Sequence, residues 1–397
     1  MIVAHLADLH LGHRAYGRSR RGRNLRERDV ARAFRRSVQE ILRLRPELIL
    51  VAGDVFERPE PPATALVVLA RALETLRSSL PDTQVLMVAG ARDTPRSRSE
   101  PGALAALDTF SNVEAATGTA RSVYLKGGEI HVLLLPHRAV LEEPRPELRP
   151  DPDARWNVLL AYGTVVEAGG DIGAGRRDRT ETEDAEVVPR LDRTDAATAD
   201  DRVGEGPSPL EVRAGDWDYV ALGHDHRFRV VAPRVVYAGS LERVGPEPWT
   251  EAHRPKGFVV TDLETGDVSH RQIAGRPVVA LAPIRWDPER PERMNERIRE
   301  VSEEIPGGID GRIVRLRLEG MGPAEFQRLD PELLSSLRSR AVHLAVEVES
   351  APPRTPRPEP RAEVLGRLEA EGAEAEVLRQ LAERLMDRGG RPGEALP

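Results

Sequence analysis

Five short apolar runs in this sequence each end on residues able to do chemistry. Residues 2–7 lead into Asp8-Leu9-His10, 48–52 into Gly53-Asp54, and 84–89 into Gly90-Ala91-Arg92-Asp93. Residues 157–161 lead into Tyr162-Gly163, and 219–222 into Gly223-His224-Asp225-His226. Four of these exits carry a carboxylate or an imidazole. Singly, such an Asp is a turn former or helix cap, and such a His a satisfied polar group. Repetition at strand exits points to one shared rim, because loops at the carboxyl ends of α/β strands converge on the ligand crevice. The i, i+2 spacing of Asp8 with His10, and of His224 with His226, places each pair on one side of an extended segment. The chain has no cysteine, which excludes thiolate nucleophiles, disulfides and zinc–thiolate sites. Two Asp and three His at one rim suit Mn, Fe or Zn.

The elements that must position these residues alternate. Helical spacing over 29–44 (Val30, Phe34, Val38, Ile41, Leu42) separates the first two strands, and a helix over 63–76 separates the next pair. That alternation signals an α/β domain. Later strands are expected at 122–126, 129–135, 157–161, 219–222, 228–231 and 235–238, with a closing hairpin of 258–262 and 268–272. Short consecutive strands late in the chain imply mixed sheets rather than a simple doubly wound one. Residues 167–206 lack periodicity and read as a flexible insertion. A second unit over 276–350 reads strand (278–284), helix (291–304), strand (312–318), helix (322–337), strand (342–348), which suits a small α+β domain. Five prolines in 351–360 make a stiff linker, and 361–397 hold a last helix and tail.

At 397 residues, one hydrophobic core gives way to about two or three units. Apolar residues are 40% and aromatics only 4%, so the core rests on Leu, Val, Ala and Ile. The net charge of −7 opposes indiscriminate wrapping of nucleic acid, but it is unevenly spread. Between Arg14 and Arg36 ten arginines face two acids, whereas between Thr180 and Gly206 nine acids face three arginines. A basic patch on an acidic body still binds a phosphate backbone through its local field and counterion release. The sequence opens directly into a strand-like run, without basic n-region, long apolar stretch or cleavage site, so a cytoplasmic protein without membrane association is expected.

Taken together, Asp8-x-His10, Gly53-Asp54 and Gly223-His224-x-His226 resemble three of the five signature blocks of calcineurin-like metallophosphoesterases. The wider phrases are similar to the SbcD-type DNA-repair exonuclease subunits: Ala7-Asp-Leu-His-Leu-Gly12, Ala52-Gly-Asp-Val-Phe56, Asp218-Tyr-Val-Ala-Leu-Gly-His224 and Tyr237-Ala-Gly-Ser-Leu-Glu-Arg243. The likeness covers roughly residues 1–275 and, more loosely, the α+β unit, which stands where that family carries its DNA-capping domain. It implies an α/β sandwich of two mixed β-sheets flanked by helices, with a small α+β cap.

The resemblance also implies a site. In that family two divalent metals, typically Mn, share one carboxylate. It assigns Asp8, His10, Asp54 and His226 to the first ion, and Asp54 and His224 to the second. The second ion's Asn and His positions are Ala91 and Tyr162 here, and the position of a His that assists phosphoryl transfer is Arg92. Ala91 offers no donor, neutral Tyr162 is a poor ligand, and Arg92 cannot act as a general acid, although it can hold a phosphate. One retained ion and a weakened second are therefore expected. His13, Arg14, Arg18, Arg20 and Arg21, directly after the first block, would contact DNA. The implied partners are DNA, an SbcC-type ATPase that the C-terminal helix could dock, and a second copy of the chain. Two other readings stand beside this exonuclease: a non-catalytic DNA-binding scaffold, and a one-metal phosphodiesterase for small nucleotides.

Overall fold

The computed structural model describes residues 1–97, 100–142, 144–167 and 209–350. Nearly all of the expected insertion, the Pro-rich linker and the C-terminal helix lie outside the described residues.

The central strands read as unbroken apolar runs because both of their faces are buried. In Leu48–Ala52, Ile49 and Val51 point to one core, while Leu48, Leu50 and Ala52 point to another. The first sheet runs Asp267–Gln272, Gly257–Asp262, Ile2–Leu6, Leu48–Ala52, Gln84–Val88, Val113–Ala116. Its last four strands are parallel and its first two antiparallel. The second sheet runs Arg229–Ala232, Val235–Tyr237, Tyr219–Gly223, Trp156–Tyr162, Ile130–Leu135, Arg121–Leu125, again parallel at its centre and antiparallel at its edges.

Side chains from the two inner faces, among them Val3, Leu50, Val88, Val132, Leu160 and Ala221, form the core between the sheets. Helices Leu25–Leu44 and Ala63–Ser79 cover the outer face of the first sheet with Phe34, Val38, Ile41, Leu69 and Leu73. The mixed sandwich implied by the resemblance is the fold found. The strand Val113–Ala116 had no expectation attached; only Val113, Ala115 and Ala116 are buried, too short a pattern to read as periodic. The first helix starts four residues before the expected 29, because the Asn24 side chain caps it, accepting from the backbone N–H groups of Arg26 and Glu27. Such a cap is worth about 1 kcal/mol.

Residues 278–349 build a four-stranded sheet on the central strand Ile313–Glu319, all parallel. Two expected elements are broken here. The strand over 278–284 splits into Val278–Ala280 and Ile284–Arg285, since Pro283 has no N–H to donate to the ladder. The helix over 322–337 splits into Pro323–Phe326 and Pro331–Arg340, since Asp330 caps a new start with Pro331 in its first turn.

This unit sits against the sandwich through specific contacts. Arg276 donates to both oxygens of Asp29, Arg18 donates to the carbonyls of Arg338 and Ser339 at 2.6 and 2.7 Å, and Tyr16 stacks on His343. Val278, Ile313 and Val342 close an apolar seam with Leu25 and Trp249.

Candidate metal centre

The loops after the first two strands are laced together. Asp8 N–H donates to the Gly53 carbonyl, His10 N–H to that of Asp54 and Leu11 N–H to that of Val55, at 2.9–3.0 Å. The strand ends at Leu6, and Asp8, His10 and Asp54 adopt φ of 49°, 47° and 46°, with His224 at 104°. The expected extended geometry of Asp8-x-His10 is therefore corrected: left-handed turns, costly for non-glycine residues, aim these side chains inward. Asp93 pins the same turn, its carboxylate accepting from the N–H groups of Val55, Phe56 and Gly90. At the neighbouring exit Gly223 packs so closely on the Ala52 carbonyl that a Cβ would lie 1.6 Å from that oxygen. Only glycine brings the His224–His226 loop this near.

Ligand atoms of Asp8, His10 and His226 lie within 4.8 Å of one another. His10 Nε2 stands 3.1 Å from His226 Nε2 and 3.9 Å from Asp54 Oδ2. His224 turns toward Tyr162: its backbone N–H donates to the Asp8 carboxylate, and its Nδ1 approaches the Tyr162 hydroxyl at 3.4 Å. That hydroxyl donates to Asp54 Oδ2 at 2.8 Å, while Asp54 Oδ1 accepts from the Arg92 N–H, also at 2.8 Å. Ala91 and the Arg92 side chain are exposed.

Protons hold this cluster together when no cation does. Burial would push the His10 imidazole down, but its hydrogen bond to Glu57 and the charges of Asp54, Glu57 and Asp8 push its pKa up to about 9. Burial, then the charges of His10 and Lys256, push His226 down to about 3, so it faces His10 as an acceptor. Burial and the charge of Asp54 push Asp8 upward. Buried carboxylates and imidazoles converging on one point are a donor set that a divalent cation satisfies in place of protons. The residues around the first ion's position fit such an ion. Those around the second do not: Ala91 supplies no atom, and the Tyr162 proton is committed to Asp54.

Two supporting residues, Glu57 and Lys256, had not been singled out from the sequence, whereas His137 reads there as a core or surface histidine rather than a ligand. Glu57 accepts from His10 Nδ1 at 2.8 Å, which leaves Nε2 turned inward, and lies 3.2 Å from His13 Nδ1. Although burial opposes ionisation, bonds from His10 and His13 hold its carboxyl well below the usual range. Lys256, buried and paired with Glu251, donates to the His226 carbonyl at 2.7 Å and fixes that loop. His137 packs edge-on against Tyr162. An acid three residues after Asp54 was a readable signal for Glu57; for Lys256 no local signal exists.

Around the site, an open cleft of about 630 Å³ is lined by His224, Asp225, His226, Arg227, Arg229 and Tyr237. The arginines after the first block divide. Arg14 pairs with Glu27, and Arg18 bonds the α+β unit; Arg20 and Arg21 sit exposed on a small hairpin, Ser19–Arg20 with Arg23–Asn24, and His13 stays at Glu57. A second crevice of about 430 Å³, where this hairpin meets the α+β unit, gathers Arg18, Arg20, Arg28, Arg32, Arg276 and Arg340.

A sandwich of this topology, with a metal-capable cluster at its strand ends, defines a metallophosphoesterase. The profile of the calcineurin-like phosphoesterases matches residues 1–228, and the chain belongs to that family. Within it, the chain is similar to proteins named DNA double-strand break repair protein Mre11. That of Methanopyrus kandleri is 24% identical over 327 residues, covering 74% of this chain and 62% of that protein. That of Methanocaldococcus jannaschii is 33% identical over 115 residues, 28% of this chain and 29% of that protein. That of Aeropyrum pernix is 39% identical over 102 residues, 25% and 22% of the two chains. The matches thus span less than two thirds of these relatives' own lengths. No helix among the described residues is long and apolar enough to cross a membrane.

Proposed function

We propose that this protein is a DNA-repair phosphodiesterase of the exonuclease type, which hydrolyses DNA backbone bonds with a divalent cation, Mn by the family resemblance. The observation that carries this reading is the convergence of Asp8, His10 and His226 beside Asp54 at the strand ends of a phosphoesterase sandwich. These four residues would hold the ion, with His224 beside it. A bound ion supplies Lewis acidity toward the phosphodiester and toward water. The protein's own residues do the rest. Glu57 orients His10, Lys256 holds the His226 loop, and the exposed Arg92 stands where a phosphate oxygen could be held bidentately.

A polymer suits the surroundings better than a mononucleotide does. The guanidinium groups of Arg20, Arg28 and Arg32 have no partner among the described residues, and they line a crevice shared with the α+β unit. Burial and the like charges of Arg32, Arg23 and Arg28 push the Arg35 pKa down, the mark of crowded positive charge. By the same resemblance, the working unit includes an SbcC-type ATPase and a second copy of the chain. Incubation of the full chain with linear duplex DNA and Mn should shorten the duplex from its ends, and Asp54→Ala should abolish this. DNA retention without cleavage, equal in wild type and Asp54→Ala, would replace this reading with the scaffold. The specific observation favouring the scaffold is the Tyr162–Asp54 bond.

A further inference from the structure

The position between Asp54 and His224 is closed, even though Asp54 Oδ2 also stands 3.9 Å from His10 Nε2. Asp54 Oδ2 and His224 Nδ1 are the two donors that could bind a cation there, and both approach one atom, the Tyr162 hydroxyl, at 2.8 and 3.4 Å. The other carboxylate oxygen is held by the Arg92 N–H. The ring is closely seated, because two glycines pack side by side against its Cδ2–Cε2 edge. A Cβ on Gly53 would lie 2.3 Å from Tyr162 Cδ2, and one on Gly90 would lie 2.8 Å from Cε2. His137 closes another flank, with ring centroids 5.6 Å apart, and the tyrosine is buried at the end of the central strand Trp156–Tyr162. A slot cut this closely to one ring is a built feature of the packing.

We infer that Tyr162 is a neutral plug: its hydroxyl occupies the position next to Asp54 and His224 in place of a cation, so that the centre takes a single divalent ion on Asp8, His10, Asp54 and His226. This rests on the proposed cation site and departs from the two-ion arrangement implied by the family. The hydroxyl satisfies Asp54 with one hydrogen bond and no net charge, so Asp54 serves one ion rather than bridging two. It also offers its lone pair to His224 Nδ1–H, which gives that imidazole a partner without a metal. An ion forced into this position would have to expel the hydroxyl proton and move a ring packed along one edge on glycine backbone.

The test counts ions in the full chain. Wild-type protein equilibrated with excess Mn(II) and freed of unbound metal should retain one Mn per chain by elemental analysis. Its electron paramagnetic spectrum should be that of an isolated Mn(II), and its ultraviolet difference spectrum should show no phenolate on metal addition. Tyr162→His combined with Ala91→Asn should admit a second ion, seen as doubled stoichiometry and an exchange-coupled spectrum. Two ions in the wild type, a phenolate signal on loading, or a folded double variant that still holds one ion would each overturn the plug. If the double variant does not fold, the wild-type count and phenolate spectrum decide alone. One ion without DNA cleavage would support the plug while removing the proposed activity. Two ions with DNA cleavage would do the reverse, and no ion at all would remove both.

Discussion

Replacing Glu57 with Ala should change Mn binding with a size and sign that depend on pH, and the structure sets both terms. The first is orientation. Glu57 is the acceptor for His10 Nδ1 at 2.8 Å, and losing such an outer carboxylate costs about 10–100-fold in metal affinity. The Glu57 side chain is 27% exposed, so water can enter the vacated space. The lower figure is the better one, about 1.4 kcal/mol. The second term has the opposite sign. With its pKa at about 9, His10 must shed a proton before it can bind a cation at pH 7. That costs roughly 2.7 kcal/mol, at about 1.36 kcal/mol per pH unit. Without the Glu57 bond and charge, burial dominates, the His10 pKa falls and most of that penalty disappears. At pH 7 the proton term, up to about 2.7 kcal/mol, outweighs the orientation term of about 1.4 kcal/mol, whereas at pH 9 orientation stands almost alone. Calorimetric titration with Mn should therefore show an affinity loss near tenfold at pH 9 that vanishes as pH falls and reverses to a modest gain by pH 7. Glu57→Gln keeps an acceptor for Nδ1 and should bind close to wild type at pH 9. A loss of equal size at both pH values, or none at pH 9, would refute the assignment of Glu57 as the group that both orients and charges His10.

Other consequences follow from single residues. His5, buried between the sheets with Nδ1 3.0 Å from the Tyr219 hydroxyl, has its pKa pulled down to about 3 by burial. A lowered imidazole is neutral when folded and charges first in the unfolded chain, so its contribution is present above about 6.5 and is lost as pH falls toward 3. Urea unfolding should show about 2 kcal/mol less stability at pH 5 than at pH 7 from this residue, and His5→Asn should flatten that difference. In Gly90→Ala the new Cβ would meet Asp54 N at 2.3 Å, a backbone clash; overpacking costs about 1–3 kcal/mol, and scanning calorimetry should record a melting point lower by several degrees. An unchanged melting point would mean the loop is free to retreat. Arg92→Ala should lower DNA cleavage at unchanged Mn stoichiometry, because its guanidinium is exposed while its backbone holds Asp54. Unaltered cleavage and DNA affinity would remove Arg92 from phosphate binding.

How much of this was legible in the sequence depends on the range of the interaction. Strand ends were readable because burial on both faces leaves continuous apolar runs, and the polar residues after them then stand out. Their backbone geometry was not. Asp and His tolerate left-handed turns, but nothing local states that the strand stops at Leu6 and that φ is positive at both Asp8 and His10. The loss of donors at Ala91 and Tyr162 was likewise visible, whereas the bond from Tyr162 to Asp54 joins residues 108 apart and exists only in the folded chain.

The arginine-rich segment shows the same limit and redirects its test. Ten arginines between Arg14 and Arg36 suggest one basic surface. Folding divides them: Arg26 is buried against Asp29 and Glu242, Arg14 meets Glu27, Arg18 bonds the α+β unit and Arg36 donates to the Ala274 carbonyl. Their partners lie up to 321 positions away, so no local count of charge distinguishes a structural guanidinium from one left for phosphate. Under the proposed function, the positive field left for DNA comes instead from groups without a partner among the described residues, of which Arg20, Arg28 and Arg32 line the crevice beside the α+β unit. Neutralising these three should weaken DNA binding and flatten its salt dependence with the fold intact, whereas neutralising Arg26 should unfold the protein before any effect on DNA is read.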